Sequence, residues 1–280
     1  MMNPIPESIF LLDTAEQIAY QTGELIREKW HQPRAIKSKG FRDLVTDTDV
    51  AAQKLITNTI RAQFPDHGFL TEEDDSELPT EGPVIWVIDP VDGTTNFSRA
   101  LPSFCVSIAA VSAAGDLLAG AVYDPMRDEL FSAARNQGAW VTGADKQRRP
   151  LAVSEVDDVN EAVLALDWSR LPELRKLALE VLNVLAPQVN CVRSIGAAAL
   201  ALSWLAAGRL DGYYHLQLSS WDLAAACLII QEAGGIISRL DGQPWRYLNQ
   251  NGGVIASNGR LHQHLLDQVV PITKPQLASG

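Results

Sequence analysis

Cysteine is scarce in this sequence. The 280 residues include three cysteines, an odd number that leaves at least one thiol outside any disulfide. Cys105, Cys191 and Cys227 lie far apart and in apolar surroundings, whereas zinc sites and disulfide frameworks use closely and regularly spaced cysteines. The sequence therefore predicts three reduced core thiols in a cytosol-like compartment.

Long apolar runs are also absent. The longest apolar stretch, residues 197–207, is interrupted by Ser203 and falls well short of the ~20 residues that cross a bilayer as a helix. The N-terminus has no basic region, and Glu7 and Asp13 flank its only short apolar run, which argues against a signal peptide. We expect a soluble, cytoplasmic protein with no membrane partner.

Basic residues are outnumbered by acidic ones. The chain has 34 acidic and 23 basic residues and a formal net charge of -11. Nucleic acids and anionic membrane surfaces would repel such a chain overall, so neither is expected as a partner. Acidic clusters are better suited to divalent cations.

The sequence divides into two halves. A length of 280 residues and a 46% apolar composition suit one large domain or two smaller ones. Residues 1–150 contain two amphipathic helical segments and then short apolar runs separated by turn signals, which predicts antiparallel hairpins. Residues 151–280 alternate between strand and helix patterns. We predict two closely packed halves with a boundary near Pro150, in the polar segment 143–162.

One short segment, "WVIDPVDGTTNF" (86–97), combines two acids with a turn. A strand that ends at Asp89, turns through Pro90 and Val91 and continues to Asp92 would place two carboxylates and the Val91 carbonyl around one point. Such hard oxygen ligands are those that Mg²⁺ takes, usually beside waters and a substrate phosphate. A helix opening at Gly93 and Thr94 would offer free N–H groups to a phosphate oxygen.

Other interpretations of these acids compete with the metal site. Asp92 on its own is a good helix cap. An EF-hand does not fit, because its acids alternate and end in a glutamate at the twelfth position. An aspartyl-phosphate mechanism with a nucleophilic Asp89 fits poorly, because that strand-end motif has one residue between its acids and this segment has two.

Further acids lie elsewhere in the chain. Glu72 and Glu73 follow a short apolar step, and Asp222 precedes a helical pattern. Taken singly, each has a simpler explanation: the acids of residues 72–75 could form a solvated loop, and Ser219 with Asp222 fits a capping box. Thr46 with Asp49 fits the same capping pattern.

Taken together, these segments resemble the inositol monophosphatase family. The resemblance rests on segments that span most of the chain in the family's order: "DLVTDTD" (43–49), "TEED" (71–74), "WVIDPVDGTTNF" (86–97), "VRSIGAAAL" (192–200), "WDLAAA" (221–226) and "EAGG" (232–235). It implies an α+β fold, a layered αβαβα sandwich with a larger antiparallel sheet in the N-terminal half and a smaller mixed sheet in the C-terminal half. It also implies a homodimer and inhibition by lithium.

The resemblance further implies a Mg²⁺ site. Glu72, Asp89 and the Val91 carbonyl would hold one ion, and Asp89, Asp92 and Asp222 a second. Glu72 would also face a third, weaker ion through waters.

The same resemblance leads to a hypothesis for the reaction. An activated water, oriented by Glu72 and Thr94 with Asp49 behind Thr94, attacks phosphorus in line without a covalent enzyme intermediate. The N–H groups of Gly93 and Thr94 would cradle the phosphate.

The substrate side departs from the family pattern. Seven residues before the "WD" aspartate, where the sugar-phosphate members commonly carry a glutamate, this chain has His215. A neutral imidazole offers one donor and one acceptor, so the hydroxyl pattern it selects must differ; alternatively, His215 is a packed strand residue. Gly196 and Ala197 occupy positions whose backbone lies near the substrate in the family, although Ala197 replaces a residue that often carries a hydroxyl.

Several side chains near the substrate are less defined. Asp167 and Arg193 are expected at the rim of the substrate site. The family often has one lysine before the second helix, and this chain has both Lys37 and Lys39. Either could reach a phosphate.

The leading function is hydrolysis of a small phosphorylated metabolite, with inositol monophosphate first. Alternatives within the same chemistry are fructose 1,6-bisphosphate, histidinol phosphate and 3'-phosphoadenosine nucleotides. In a different class, some relatives act as binding partners of the transcription or ribosomal machinery, for which a phosphatase site is dispensable.

Overall fold

Two large β-sheets, one two-stranded hairpin and three layers of helices make up the described part of the chain. The computed structural model describes residues 7–33, 35–41, 43–247 and 251–277. The helices are α1 (Glu7–Trp30), α2 (Asp47–Gln63), α3 (Thr94–Ser98), α4 (Pro172–Leu185), α5 (Ala198–Ala206), α6 (Ser220–Glu232) and α7 (His262–Leu277).

The strands form one hairpin, one seven-stranded sheet and one five-stranded sheet. They are β1 (Ile36–Gly40), β2 (Asp43–Thr46), β3 (Gly68–Thr71), β4 (Val84–Asp92), β5 (Cys105–Ser112), β6 (Leu117–Asp124), β7 (Glu129–Ala134), β8 (Gly138–Thr142), β9 (Arg148–Pro150), β10 (Val163–Leu166), β11 (Cys191–Arg193), β12 (Gly212–Leu218), β13 (Ile236–Arg239) and β14 (Gly252–Ser257).

The seven-stranded sheet has the order β3-β4-β5-β6-β7-β8-β9. Its side chains alternate between two cores, as the period of two in a strand requires. On β4, Trp86 and Ile88 pack with α1 and α2, whereas Ile85 and Val87 pack with α5 and α6. Both faces of this sheet are therefore covered by helices.

The five-stranded sheet has the order β11-β10-β12-β14-β13 and is mixed, because β10 is parallel to β11 and β12 while β14 is antiparallel to β12 and β13. One face packs on α5 and α6, and the other on α4 and α7, where Leu177 and Leu265 belong to the same core as Tyr214 and Ile255. The order of layers is thus helix, sheet, helix, sheet, helix, which confirms the predicted αβαβα sandwich.

The structure corrects the prediction in two details. The larger sheet is antiparallel except at β3 and β4, which are parallel because the chain crosses over between Thr71 and Val84. Cys105 and Cys227 are buried as expected, but Cys191 is half-exposed and is not a core thiol. The predicted boundary at residue 150 coincides with the end of β9. The two halves nevertheless share the central helical layer, and their division into domains stays a prediction.

Local signals explain where the helices near the site begin. At α2, the Thr46 hydroxyl oxygen accepts a hydrogen bond from the Thr48 N–H, and the Asp49 carboxylate accepts one from the Thr46 N–H. These bonds complete the predicted capping box. At α6, Ser219 and Asp222 form another. Within the described residues, no helix combines the length and the apolar character that a bilayer crossing requires.

Candidate metal centre and phosphate site

Three carboxylates meet where the two halves of the chain face each other. One oxygen from each of Asp89, Asp92 and Asp222 lies within 4.8 Å of the others. Asp89 and Asp92 come from the end of β4, and Asp222 comes from the first turn of α6. The first two are 2% and 7% exposed, so this acidic cluster is largely removed from water.

A bulge in β4 brings Asp89 and Asp92 to the same side. In a regular strand, residues three apart point to opposite faces. Here Asp89 pairs with Ser107 and Asp92 with Cys105, and the register shifts between them. Pro90 has no N–H to offer the ladder, so a bulge suits it, and the Val91 N–H donates to Asp89 Oδ1 at 3.0 Å.

Asp222 has two roles in this geometry. Its Oδ2 accepts a hydrogen bond from the Ser219 N–H at 2.7 Å, so the helix-cap interpretation is correct. The same carboxylate also belongs to the acidic cluster. The capping hydrogen bond thus holds the Asp222 carboxylate in place next to Asp89 and Asp92.

The acidic cluster carries an excess of buried negative charge. Burial raises the pKa of Asp89 and of Asp222, and their acidic neighbours, Glu72 and Asp92 among them, raise it further. Burial also raises the pKa of Asp92 to about 7, although hydrogen bonds from Ala199 and Ala198 oppose this. In the described part of the chain, no lysine or arginine nitrogen lies within 4.0 Å of these three carboxylates.

This charge and donor set fit a divalent cation. Carboxylate oxygens close together are hard ligands, and a bound cation relieves the mutual repulsion that their burial enforces. The acidic cluster could therefore hold Mg²⁺.

Glu72 lies beside the acidic cluster but faces cations. Lys39 Nζ is 3.3 Å from Glu72 Oε1 and 2.8 Å from Glu73 Oε1, and Arg170 Nη2 is 3.5 Å from Glu72 Oε1. Burial raises the pKa of the Asp89 carboxyl, and the negative charge of Glu72 raises it further, which is the electrostatic effect of one carboxylate close to another. The solvated-loop interpretation of these acids is wrong for Glu73, which is 8% exposed.

Half-buried Thr94 and buried Asp49 form a hydrogen-bonded pair next to Val91. Thr94 Oγ1 lies 3.0 Å from Asp49 Oδ1 and 3.1 Å from the Val91 carbonyl oxygen. Asp49 is fully buried, and its other oxygen accepts hydrogen bonds from the Thr46 N–H, at 2.9 Å, and hydroxyl. The structure places Asp49 behind Thr94, as the hypothesis requires. Burial raises the pKa of Asp49, against these hydrogen bonds.

Two glycines let the chain segments from each half approach. Gly93 has a φ of +95°, and a Cβ there would lie 3.0 Å from the Ser103 carbonyl oxygen and 3.1 Å from the Ala197 Cβ. Gly196 has a φ of +77° and packs on Asn96, whose side chain donates to the carbonyls of Ser103 and Ile195. Gly93, Thr94, Gly196 and Ala197 all line the cavity above the acidic cluster.

That cavity has a volume of about 950 Å³ and includes His215 in its lining. His215 is 5% exposed, and its Nδ1 accepts a hydrogen bond from the Gln217 N–H at 3.1 Å. Burial lowers its pKa to about 4, so the ring is neutral near pH 7. His215 is therefore both a packed strand residue and part of the cavity wall.

The predicted rim residues have different positions. Arg193 is exposed, is not among the residues that line the cavity, and donates to its neighbour's carbonyl at Val192. Asp167 does line the cavity, and its Oδ1 accepts from the Ser194 hydroxyl at 2.9 Å and the Gly196 N–H at 2.7 Å. It thus fixes the loop that leads into α5, a role for which the sequence carried no local signal.

The chain was also compared with known proteins. The "Inositol monophosphatase family" matches residues 10–274. "Nus factor SuhB" of Escherichia coli K12 is 39% identical over 261 residues, which cover 91% of this chain and 94% of that protein. "Inositol-1-monophosphatase" of Bacillus subtilis is 33% identical over 265 residues, with 94% and 97% covered.

Solved structures of similar proteins superpose on most of this chain. An IMPase of Thermotoga maritima superposes with a TM-score of 0.85 at 29% identity, covering 94% of this chain and 98% of that one. SuhB of Mycobacterium tuberculosis superposes with a TM-score of 0.80 at 31% identity, covering 96% and 99%.

Proposed function

The chain belongs to the inositol monophosphatase family, and on that premise we propose that it hydrolyses small phosphate monoesters with the help of Mg²⁺. The observation that carries this proposal is the acidic cluster of Asp89, Asp92 and Asp222 beside the Thr94–Asp49 pair. Asp89 and Asp92 are buried, and no lysine or arginine of the described residues forms an ion pair with the cluster.

Five residues would hold the metal. Asp89, Asp92 and Asp222 offer carboxylates, Val91 offers its carbonyl, and Glu72 lies next to Asp89. These donors suit two ions, with a third held more weakly through Glu72. Bound Mg²⁺ lowers the pKa of a water and disperses the charge that develops on the phosphoryl group.

The chain's own residues position the water. The Thr94 hydroxyl donates towards Asp49 or the Val91 carbonyl, which leaves its oxygen free to accept a hydrogen bond from water. Glu72 accepts the second hydrogen bond of that water, so a lone pair points to phosphorus. Asp89 accepts from the Val91 N–H and acts as a ligand rather than as a nucleophile; trapping a phosphorylated Asp89 during turnover would contradict this assignment.

Inositol monophosphate is the first substrate to test. The Bacillus subtilis relative called "Inositol-1-monophosphatase" supports it. His215 in place of a glutamate leaves fructose 1,6-bisphosphate, histidinol phosphate and 3'-phosphoadenosine nucleotides as alternatives. Gly93 and Thr94 would face the phosphate, and Gly196, Ala197 and His215 the alcohol. Arg193, outside the cavity lining, would contact only a substrate that extends beyond it.

The experiment is a phosphate-release panel over these substrates with and without Mg²⁺. Wild type, Asp89→Asn and His215→Glu would be compared with Asp157→Asn, whose side chain is 77% exposed. We expect Mg²⁺-dependent release that Asp89→Asn abolishes, Asp157→Asn retains and His215→Glu redirects among substrates. Release that is independent of both Mg²⁺ and Asp89 would contradict the proposal.

A second candidate function is binding to the transcription or ribosomal machinery. The relatives called "Nus factor SuhB", at 34% to 39% identity, favour it. In a deletion strain of the source organism, an Asp89→Asn protein that restores every growth phenotype would support this role over catalysis. Failure to restore any of them would support catalysis.

The assembly, the location and the inhibitor are further proposals. We propose a cytoplasmic homodimer that lithium inhibits at the metal site, as in the family. Light scattering after gel filtration measures the oligomeric state, and cell fractionation measures the location. Phosphate release in LiCl, compared with NaCl at the same concentration, measures inhibition by lithium.

A further inference from the structure

Three large apolar side chains line the cavity while remaining open to solvent. Phe41, in the turn after β1, is 64% exposed, and Trp168 and Leu171, in the segment between β10 and α4, are 36% and 40% exposed. Exposed apolar surface of this size is unfavourable in water, and inside a cleft it is typical of a ligand contact. This apolar patch shares its cavity with the acidic cluster.

The backbone on both sides of Trp168 is anchored. Asp167 is fixed by Ser194 and Gly196. Ser169 is 4% exposed, and its hydroxyl bonds the Gln217 side chain at 3.2 Å and the Leu171 N–H at 3.2 Å. Two buried neighbours therefore hold a residue whose own indole is open to the cavity.

No partner within the described residues occupies the Trp168 ring. Among the described residues, the ring–ring contacts and the cation–ring contacts involve aromatic side chains other than Trp168. A tryptophan that is held in place and left without a stacking partner is pre-organised for a flat ligand.

Two polar side chains of this cavity wall, Asp167 and His215, already accept hydrogen bonds within the protein. Both Asp167 oxygens accept hydrogen bonds, Oδ1 from Ser194 and Gly196 and Oδ2 from the Tyr213 hydroxyl at 3.4 Å. His215 Nδ1 is taken by the Gln217 N–H, and Ala197 has no hydroxyl. A polyhydroxylated ring would therefore compete with bonds inside the protein for the oxygens of Asp167 and for His215 Nδ1, and a hydroxyl that gains no partner costs binding free energy.

We propose that the alcohol part of the preferred substrate carries an aromatic ring that stacks on Trp168, and that Trp168 determines this specificity. The inference rests on the proposed phosphatase function and names the substrate class of that site. The phosphate would lie at the acidic cluster and the ring on the apolar patch.

A matched pair of esters tests the proposal. 2-Phenylethyl phosphate and 2-cyclohexylethyl phosphate release alcohols of similar acidity and size, so a difference in kcat/KM reports recognition of the aromatic ring. Inositol 1-phosphate serves as the polyol reference. Trp168→Ala removes the ring, Trp168→Phe restores an aromatic face, and Leu179→Ala controls for loss of an exposed apolar side chain on α4, outside the cavity lining.

In wild type we expect kcat/KM to favour the phenyl ester over the cyclohexyl ester by about tenfold, the scale of one aromatic stacking contact. Trp168→Ala should abolish the preference, mainly through KM, while Trp168→Phe and Leu179→Ala keep it. An equal ratio of the two esters in wild type and Trp168→Ala, or a preference for inositol 1-phosphate over both, would overturn the proposal.

Failure of the underlying function gives a different result, because none of the three esters would then release phosphate in a Mg²⁺-dependent manner. If the ring preference holds, adenosine 3'-monophosphate and 3-(imidazol-4-yl)propyl phosphate separate a nucleobase from a small heterocycle. Faster hydrolysis of either one, lost in Trp168→Ala, supports the proposal and identifies the kind of ring.

Discussion

Asp92 and Ala199 join the two halves of the chain at the acidic cluster. Asp92 Oδ2 accepts a hydrogen bond from the Ala199 N–H at 2.7 Å, and its Oδ1 accepts one from the Ala198 N–H at 3.1 Å. A carboxylate at the end of β4 therefore caps the first turn of α5, where free N–H groups favour negative charge. The same contact fixes Gly196 and Ala197 relative to the acidic cluster.

Asp222→Asn separates the metal role of Asp222 from its capping role. The asparagine oxygen can still accept the Ser219 N–H, so the free energy of unfolding should fall by at most about 1 kcal/mol. Loss of a charged ligand should raise the Mg²⁺ requirement and lower phosphate release about 100-fold or more. Titration of activity with Mg²⁺, alongside urea unfolding, measures both; normal activity at wild-type Mg²⁺ would leave Asp222 as a cap only.

Metal removal should destabilise the protein. Three carboxylates with oxygens within 4.8 Å repel one another unless a cation lies between them. MgCl₂ should therefore raise the melting temperature, and a ligand at a hundredfold excess over its Kd adds about 3 kcal/mol. NaCl at matched ionic strength is the control, because salt alone screens charge. Equal shifts in the two salts would speak against a specific ion.

Thr94→Val tests the water-positioning role of Thr94. Valine has nearly the shape of threonine but cannot accept from water or donate to Asp49. We expect kcat to fall about 100-fold or more, the range for a lost proton-handling group, while the Mg²⁺-induced thermal shift persists. Thr94→Ser should recover most of the activity. If Thr94→Val instead removed only the thermal shift, Thr94 would support the metal rather than the water.

Contacts between neighbours in the sequence could be predicted. The Thr46–Asp49 and Ser219–Asp222 capping boxes join residues three apart, so local spacing is enough to identify them. The two acids of β4 were also predicted to converge, because proline and the strand-to-helix transition imply a break in the ladder.

Contacts between distant parts of the chain could not be predicted in the same way. The Ala199 N–H is 107 residues from Asp92, and Arg170 is 127 residues from Asp43. Charge alone does not choose between the many lysines, arginines and acids of the chain. The ion pairs of Glu72 with Lys39 and Arg170 depend on how the halves pack. The resemblance to a family supplied the metal ligands but not these ion pairs.

Asp167 positions the loop before α5, and two variants can distinguish this role from a purely structural one. Asp167→Ala leaves the Gly196 N–H and the Ser194 hydroxyl without their acceptor, which should cost about 1–3 kcal/mol of unfolding free energy. The loop before α5 should then loosen and raise KM more than it lowers kcat. Asp167→Asn keeps an acceptor oxygen and should restore KM. A purely structural role would lower the melting temperature in Asp167→Ala and leave KM unchanged.

His215 should make the protein less stable in acid. Burial lowers its pKa from 6.5 to about 4 in the folded state. Between these two pH values, His215 is therefore protonated in the unfolded chain and neutral in the folded chain. Stability from this residue is fully present above pH 6.5 and is lost as the pH falls towards 4. At about 1.4 kcal/mol per pKa unit, the loss approaches about 3 kcal/mol.

His215→Gln removes this titration and keeps an acceptor for the Gln217 N–H. Urea unfolding of wild type and His215→Gln between pH 7 and 4 should therefore give curves that converge as the pH falls, because only wild type bears the cost of protonating His215. His264→Gln is the matched control, because residue 264 is half-buried on α7 and lies outside the cavity lining. Parallel curves for wild type and His215→Gln would mean that the ring accepts its proton in place, with a cavity wall more open to water than its 5% exposure indicates.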